Sequence, residues 1–194
     1  MNHLLPRSRS PLLIAACLVA GLALPAQART VEGFDLPDTL QLGGQSLTLV
    51  GAGVRNKWFV NVYVMGVYQK TAKANADHLI NSDEPKYLWL HMMRGIGGDK
   101  MRDAIDDGLE ANASEEARAA IAADVGKLKA AFPSSISKGL DIGFWYRPGK
   151  GTTLRLGDKD KLTAPGKGLM TALWSIWFGR RPADKGLKKS VTSG

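Results

Sequence analysis

The sequence predicts an α+β domain in which a largely antiparallel sheet carries helices on one face. Three observations point there. Two pairs of short segments alternate apolar and polar residues on either side of a glycine-containing turn, as β-hairpins do. Two further runs are dense in β-branched and aromatic residues. The segments with helical spacing are segregated from the strands and do not alternate with them one for one, which disfavours a parallel, doubly wound sheet.

The domain is expected to begin at Arg29. Arg7 and Arg9 precede the apolar run Pro11–Leu24, and Ala26-Gln27-Ala28 supplies a small-x-small cleavage site, so residues 1–28 read as a secretory signal peptide. The apolar run is shorter than the roughly 20 residues that a membrane-spanning helix needs, and no later segment matches that length. The expectation is a soluble chain of residues 29–194, periplasmic or secreted after cleavage, with no integral membrane segment. At 166 residues it is long enough to bury one sizeable core. Removing Arg7 and Arg9 leaves 24 basic residues against 18 acidic ones, a moderate excess of six. The single cysteine, Cys17, lies inside the signal, which excludes disulfides, thiolate catalysis and cysteine-ligated metals from the processed chain.

In chain order, Thr39–Leu42 and Ser46–Leu49 flank Gly43-Gly44-Gln45 and form the hairpin expected to open the domain. Lys57–Gln69 reads as one long strand covered on both faces, with Trp58, Val60, Val62 and Val64 on one side and Phe59, Asn61, Tyr63 and Met65 on the other. A short helix is expected within Ala72–Asn81 and a strand over Lys86–Arg94, after the turn Ser82–Pro85. Asp99 is expected to cap a helix to about Ala111, with Met101, Ile105 and Leu109 stacked four apart. Ser114, followed by Glu115-Glu116, starts the clearest helix, whose stripe Ile121, Val125, Leu128 and Phe132 ends at Pro133. Leu140–Arg147 and Thr152–Leu156 form a second hairpin around Pro148–Gly151. Gly168–Phe178 has helical spacing, and Gly179 and Pro182 stop it. The last dozen residues are polar and expected to be loose.

Several motifs fail on context. Gly51-Ala52-Gly53 lacks a third glycine and a following helix, so it is no dinucleotide fingerprint; Gly149–Thr153 lacks the leading glycine of a phosphate loop. His78 and His91, the only histidines after the signal, have no metal-ligand spacing, and a satisfied, partly buried His91 is the better reading. No metal or other cofactor is indicated. The basic residues are dispersed except near the C-terminus, and with export this argues against nucleic acid as a partner. Trp174 and Trp177 read as core.

Arg55 stands apart. It sits just before the apolar strand, where an inward guanidinium is costly unless it meets an anion or several acceptors. Tyr63 follows eight residues later, with an apolar body and a hydroxyl tip. Together at a cavity wall they suit a ligand carboxylate. The plainer alternative pairs Arg55 with a surface carboxylate and leaves Tyr63 as core.

Gly51-Ala52-Gly53-Val54-Arg55 followed by Phe59–Tyr68 resembles the "GxGVR … KF…xIGVY" signature of the chalcone isomerase superfamily. Lys86–Leu109, with its Arg94-Gly95-Ile96 bend, and Leu173–Gly179 with Pro182 and Lys185–Lys188 resemble its bacterial exported branch, the chalcone isomerase-like proteins. The resemblance implies an open-faced β-sandwich, a large antiparallel sheet with a layer of helices and a ligand cleft between them. It also implies that plant-type catalysis is absent. Plant enzymes use the motif arginine, a strand threonine, a tyrosine and an asparagine on the next helix, and a late threonine. Here only Arg55 matches; Tyr63, Met101, Gly108 and Met170 stand at the other positions, and methionine cannot orient a water or stabilise an oxyanion.

Fatty-acid-binding members of the superfamily pair the motif arginine with a strand tyrosine. The resemblance therefore implies a non-catalytic exported protein holding a small apolar carboxylate such as a fatty acid, with Arg55 as anchor and Tyr63 as second donor. Met65, Met101 and Leu109 are the expected apolar wall, provided that strand face and the Asp99 helix meet. The alternatives are an isomerase or lyase acting on a phenolic ketone, with Arg55 on a phenolate or enolate, and a protein-interaction module of the envelope.

Overall fold

A computed structural model describes residues 28–193 of the chain. The expected signal peptide, Ala28 excepted, lies outside the described residues. The first elements are strands β1 (Ala28–Val31), β2 (Phe34–Pro37), β3 (Thr39–Leu42), β4 (Gln45–Lys57) and β5 (Val60–Gln69), then helix α1 (Ala76–Asn81) and strand β6 (Lys86–Met92). A two-residue strand β7 (Ile96–Gly97) leads into α2 (Gly98–Asn112) and α3 (Glu115–Ala131), and β8 (Ser135–Ile136) pairs back onto β7. The chain continues through β9 (Asp141–Arg147), β10 (Gly151–Leu156) and β11 (Lys159–Ala164) into α4 (Gly168–Phe178) and α5 (Lys185–Thr192).

Seven strands form one antiparallel sheet in the order β11-β10-β9-β6-β5-β4-β3. The main core lies between one face of this sheet and the helices, all five of which contribute buried residues to it. The α+β class with an antiparallel sheet and a helix layer is therefore the fold the chain adopts. On the opposite face a smaller core gathers Leu47, Leu49, Val64, Tyr68 and Trp145 beneath Leu36 of the β1–β2 hairpin. Helix α4 is buried almost all round and touches α1, α2 and α3, so its sequence is apolar on every side, Trp174 and Trp177 included. Helix α3 starts at Ser114 as expected, whose hydroxyl accepts from the Ala117 N–H at 3.2 Å, and Ile121, Leu128 and Phe132 are buried, whereas Asp99 does not cap α2: that helix begins at Gly98, with Gly97 at the cap position and no side-chain cap bond.

Four elements depart from the sequence pattern, each for a local reason. Lys57–Gln69 is not one strand: Trp58 and Phe59 have φ of 53° and 63° and form a two-residue hairpin turn between β4 and β5. Aromatic residues mimic a strand there because their propensity is for extended backbone. A further hairpin, β1–β2, precedes the one expected to open the domain. The edge strand β11 escapes notice because its outer residues are charged, as exposed edges require. The C-terminal segment expected to be loose is helix α5. Its Asp184 cap accepts from Leu187 N–H at 2.9 Å, and Leu187 and Val191, four apart, are buried on the core side.

Lys86, at the start of β6, is fully buried and donates to Leu79 O at 2.9 Å and Ser82 Oγ at 2.7 Å. Burial pushes its ammonium down to about 8, with Glu84 partly opposing. The unfolded chain holds that proton to higher pH, so it binds more protons than the native state between about pH 8 and 10, and stability rises with pH across that window. Above it the buried Tyr68 and Tyr87 act in the opposite sense, because burial raises both to about 12. Denaturant melts are expected to gain about 1–2 kcal/mol from pH 7.5 to 9.5, a gain that Lys86→Met abolishes. Parallel pH curves for the two proteins would contradict this.

Candidate functional site

The site is set by the pairing of β4 with β5. A two-residue turn at Trp58-Phe59 would place Arg55 opposite Val62, but a register shift between Arg55 and Asn56 moves the pairing by one residue. Arg55 therefore faces Tyr63 directly across the ladder. Because of the same bulge, Val62 and Tyr63 both turn to the helix face, and the strict alternation expected of this strand fails there.

Arg55 and Tyr63 open onto a cavity of about 660 Å³ between β4–β6 and helices α2 and α4. Its apolar wall includes Val62, Leu90, Met101, Ile105, Phe144 and Ile176. Tyr63 is 3% exposed, and its hydroxyl accepts from the Trp177 indole N–H at 2.7 Å. That bond occupies a lone pair and leaves the phenolic hydrogen free to donate. Burial raises the Tyr63 pKa, against the charge of Arg55 and the Trp177 bond, so the group is a neutral donor at physiological pH.

The Arg55 guanidinium carbon lies 5.7 Å from the Tyr63 ring centroid. Its Nε is buried without a hydrogen-bond partner among the described residues, and within the same residues Arg55 has no carboxylate at 4.0 Å or less. Asp184, on the same side, spends its carboxylate on the Asn56 and Leu187 N–H groups. The surface ion pair that the plainer alternative requires is not formed. A guanidinium and a phenol thus border one cavity side by side, a charged and a neutral donor of the kind that holds an anionic oxygen.

Of the five residues expected at the site, Arg55, Tyr63 and Met101 line this cavity. Met65 and Leu109 do not: both are buried in the core. On α2 the cavity follows Met101, Ala104, Ile105 and Gly108, which turns Leu109 away from it. Trp177 was legible only as an apolar helix position; that its N–H needs an acceptor when buried is the one signal that pointed to a polar partner. Met170 is fully buried and lines no part of the cavity.

Gly108 borders the cavity, and a Cβ there would lie 2.7 Å from Ile176 Cγ2, so α4 occupies the space a polar side chain would need. The glycines before Arg55 have the same kind of reason. A Cβ on Gly51 would lie 2.3 Å from Val191 O, and one on Gly53 2.9 Å from Ser190 Cβ, so Gly51-Ala52-Gly53 is the seat of α5. His78 and His91 are satisfied elsewhere, His78 on Glu84 at 2.6 Å and His91 on Asp141 at 2.7 Å.

A family profile described as chalcone isomerase-like matches residues 28–191. Among solved structures, a fatty-acid binding protein of Arabidopsis thaliana is similar in fold, with a TM-score of 0.62 and 17% sequence identity over 82% of this chain and 92% of that one. No curated protein sequence matches the chain.

Proposed function

The chain belongs to the chalcone isomerase-like family, and from that premise we propose that it is a non-catalytic, exported binding protein for an apolar carboxylate such as a fatty acid. The observation that carries this reading is the pair of Arg55, whose buried Nε has no partner among the described residues, and Tyr63, whose hydroxyl proton is free, on one cavity wall. One charged and one neutral donor meet at the end of an apolar cavity, and its volume lies within the roughly 300–1,000 Å³ of small-molecule sites. An acyl chain suits the aliphatic and aromatic wall, and its carboxylate suits the end lined by Arg55 and Tyr63. Likeness in fold to a fatty-acid binding protein supports the same reading.

At the two helix positions where the plant-type enzymes carry polar groups, the cavity offers none. Met101 has no proton to give or take, and Ile176 fills the space beside Gly108.

Native mass spectrometry of protein purified from its own host is expected to show a bound species with the mass of a fatty acid and a processed N-terminus at Arg29. Added palmitate should bind, and chalcone cyclisation should not exceed background. No co-purifying lipid together with no palmitate binding would overturn the binding proposal, stereoselective cyclisation would establish the isomerase instead, and retention of Met1 would remove export.

A further inference from the structure

Beside the cavity mouth lie the only large apolar side chains exposed among the described residues: Trp58 at 83%, Phe59 at 105% and Val60 at 39%. Trp58 and Phe59 are also the two residues of the β4–β5 turn held at left-handed φ, where Asn-Gly would be relaxed and bulky side chains are strained. The tip therefore bears a conformational cost and a hydration cost at the same two positions, and among the described residues both rings stand largely uncovered.

Around the tip the mouth is lined by Lys57, Arg94, Lys100 and Arg181, all exposed and none in an ion pair among the described residues. The acids on this side are Asp103 and Asp107 of α2, Glu32, which accepts from Asn61, and Asp184, which caps α5. Cations thus predominate at the mouth itself.

We infer that the β4–β5 tip docks on an anionic lipid bilayer, with Trp58 and Phe59 at the boundary of headgroups and acyl chains and Lys57, Arg94, Lys100 and Arg181 on the headgroups. Three protruding apolar residues are too few for the roughly 800 Å² per partner of a stable protein interface. They suffice for an interfacial anchor, where aromatic rings lie in the headgroup layer and basic residues add electrostatic attraction. Docked this way, the cavity mouth faces the membrane. The tip and its charges do not depend on what fills the cavity.

The test uses the processed chain with vesicles of phosphatidylglycerol mixed with phosphatidylcholine and vesicles of phosphatidylcholine alone, neither containing free fatty acid. Cosedimentation is expected with the anionic vesicles and to weaken with salt. Trp58 is expected to shift to the blue and to be quenched by brominated lipid. The double variant Trp58→Asn, Phe59→Gly should lose binding by at least about tenfold. Its Tm should hold or rise by about 2–4 °C as the turn relaxes. Lys57→Gln with Lys100→Gln should lose about fivefold for each charge, and Phe59→Ser repeats the tip test by a single change. Wild-type binding equal on both vesicles, tip variants that bind like wild type, or no vesicle binding with a protein recovered on the tip instead would each overturn the proposal.

Discussion

Arg55→Ala is expected to weaken fatty-acid binding by about 2–4 kcal/mol, because removing one partner leaves the ligand carboxylate desolvated and unpaired. The expectation follows from geometry on the ladder. Arg55 is held opposite Tyr63 by the bulge in β4–β5, and its Nε is buried with no competing acceptor among the described residues. Arg55→Lys should recover only part of the loss, since an ammonium cannot reproduce a planar two-pronged contact. Tyr63→Phe removes one neutral donor and should cost about 0.5–1.5 kcal/mol, or up to about 3 kcal/mol where the hydroxyl bonds the charged carboxylate directly. Calorimetry of the three variants with a long-chain acid, alongside circular dichroism to check folding, decides between these outcomes. Arg55→Ala with wild-type affinity would make Arg55 a structural residue and leave the carboxylate without its anchor.

Gly51→Val is expected to destabilise the fold by about 3–5 kcal/mol, enough to lower Tm by roughly 10 °C in a domain of this size. A Cβ at position 51 would meet Val191 O at 2.3 Å and Val191 Cα at 2.7 Å, which are backbone atoms and cannot rotate aside. Helix α5 would have to lift, exposing Leu187 and Val191, which are 1% and 0% accessible. A control separates this packing effect from the general behaviour of glycine. Gly126, inside α3, has nothing within 4 Å of its Cβ position, so Gly126→Ala should stabilise by about 0.5–1 kcal/mol. Chemical denaturation of both variants checks the pair. A Gly51→Val protein as stable as wild type would mean that α5 does not depend on that close approach.

Much of the architecture was present in local pattern. The glycine turn at Gly43-Gly44, the stripe of α3 with its Ser114 cap, the α4 segment and the second hairpin all stand where periodicity and turn chemistry place them. These are features in which a few neighbouring residues carry the whole signal. For the same reason the Trp58-Phe59 turn was invisible: local propensity argues for extended backbone, and the chain adopts the turn against it. Helix α5 was hidden too, because two apolar residues in a basic segment make a helix only when a glycine-lined strand is there to receive them.

The candidate site divides along the same line. Residue type and position alone singled out Arg55 and Tyr63, since a guanidinium beside an apolar strand demands an acceptor wherever the chain folds. That Arg55 and Tyr63 stand opposite one another depends on a one-residue bulge, which is a property of the ladder and not of either strand. The Tyr63 hydroxyl owes its orientation to Trp177, 114 residues away, and the cavity wall takes Met101 while leaving Met65 and Leu109 in the core. Charge cost and hydrophobic periodicity are local and can be read along the chain. Register, close approach and the pairing of buried polar atoms are relations between distant segments, and only the packed molecule decides them.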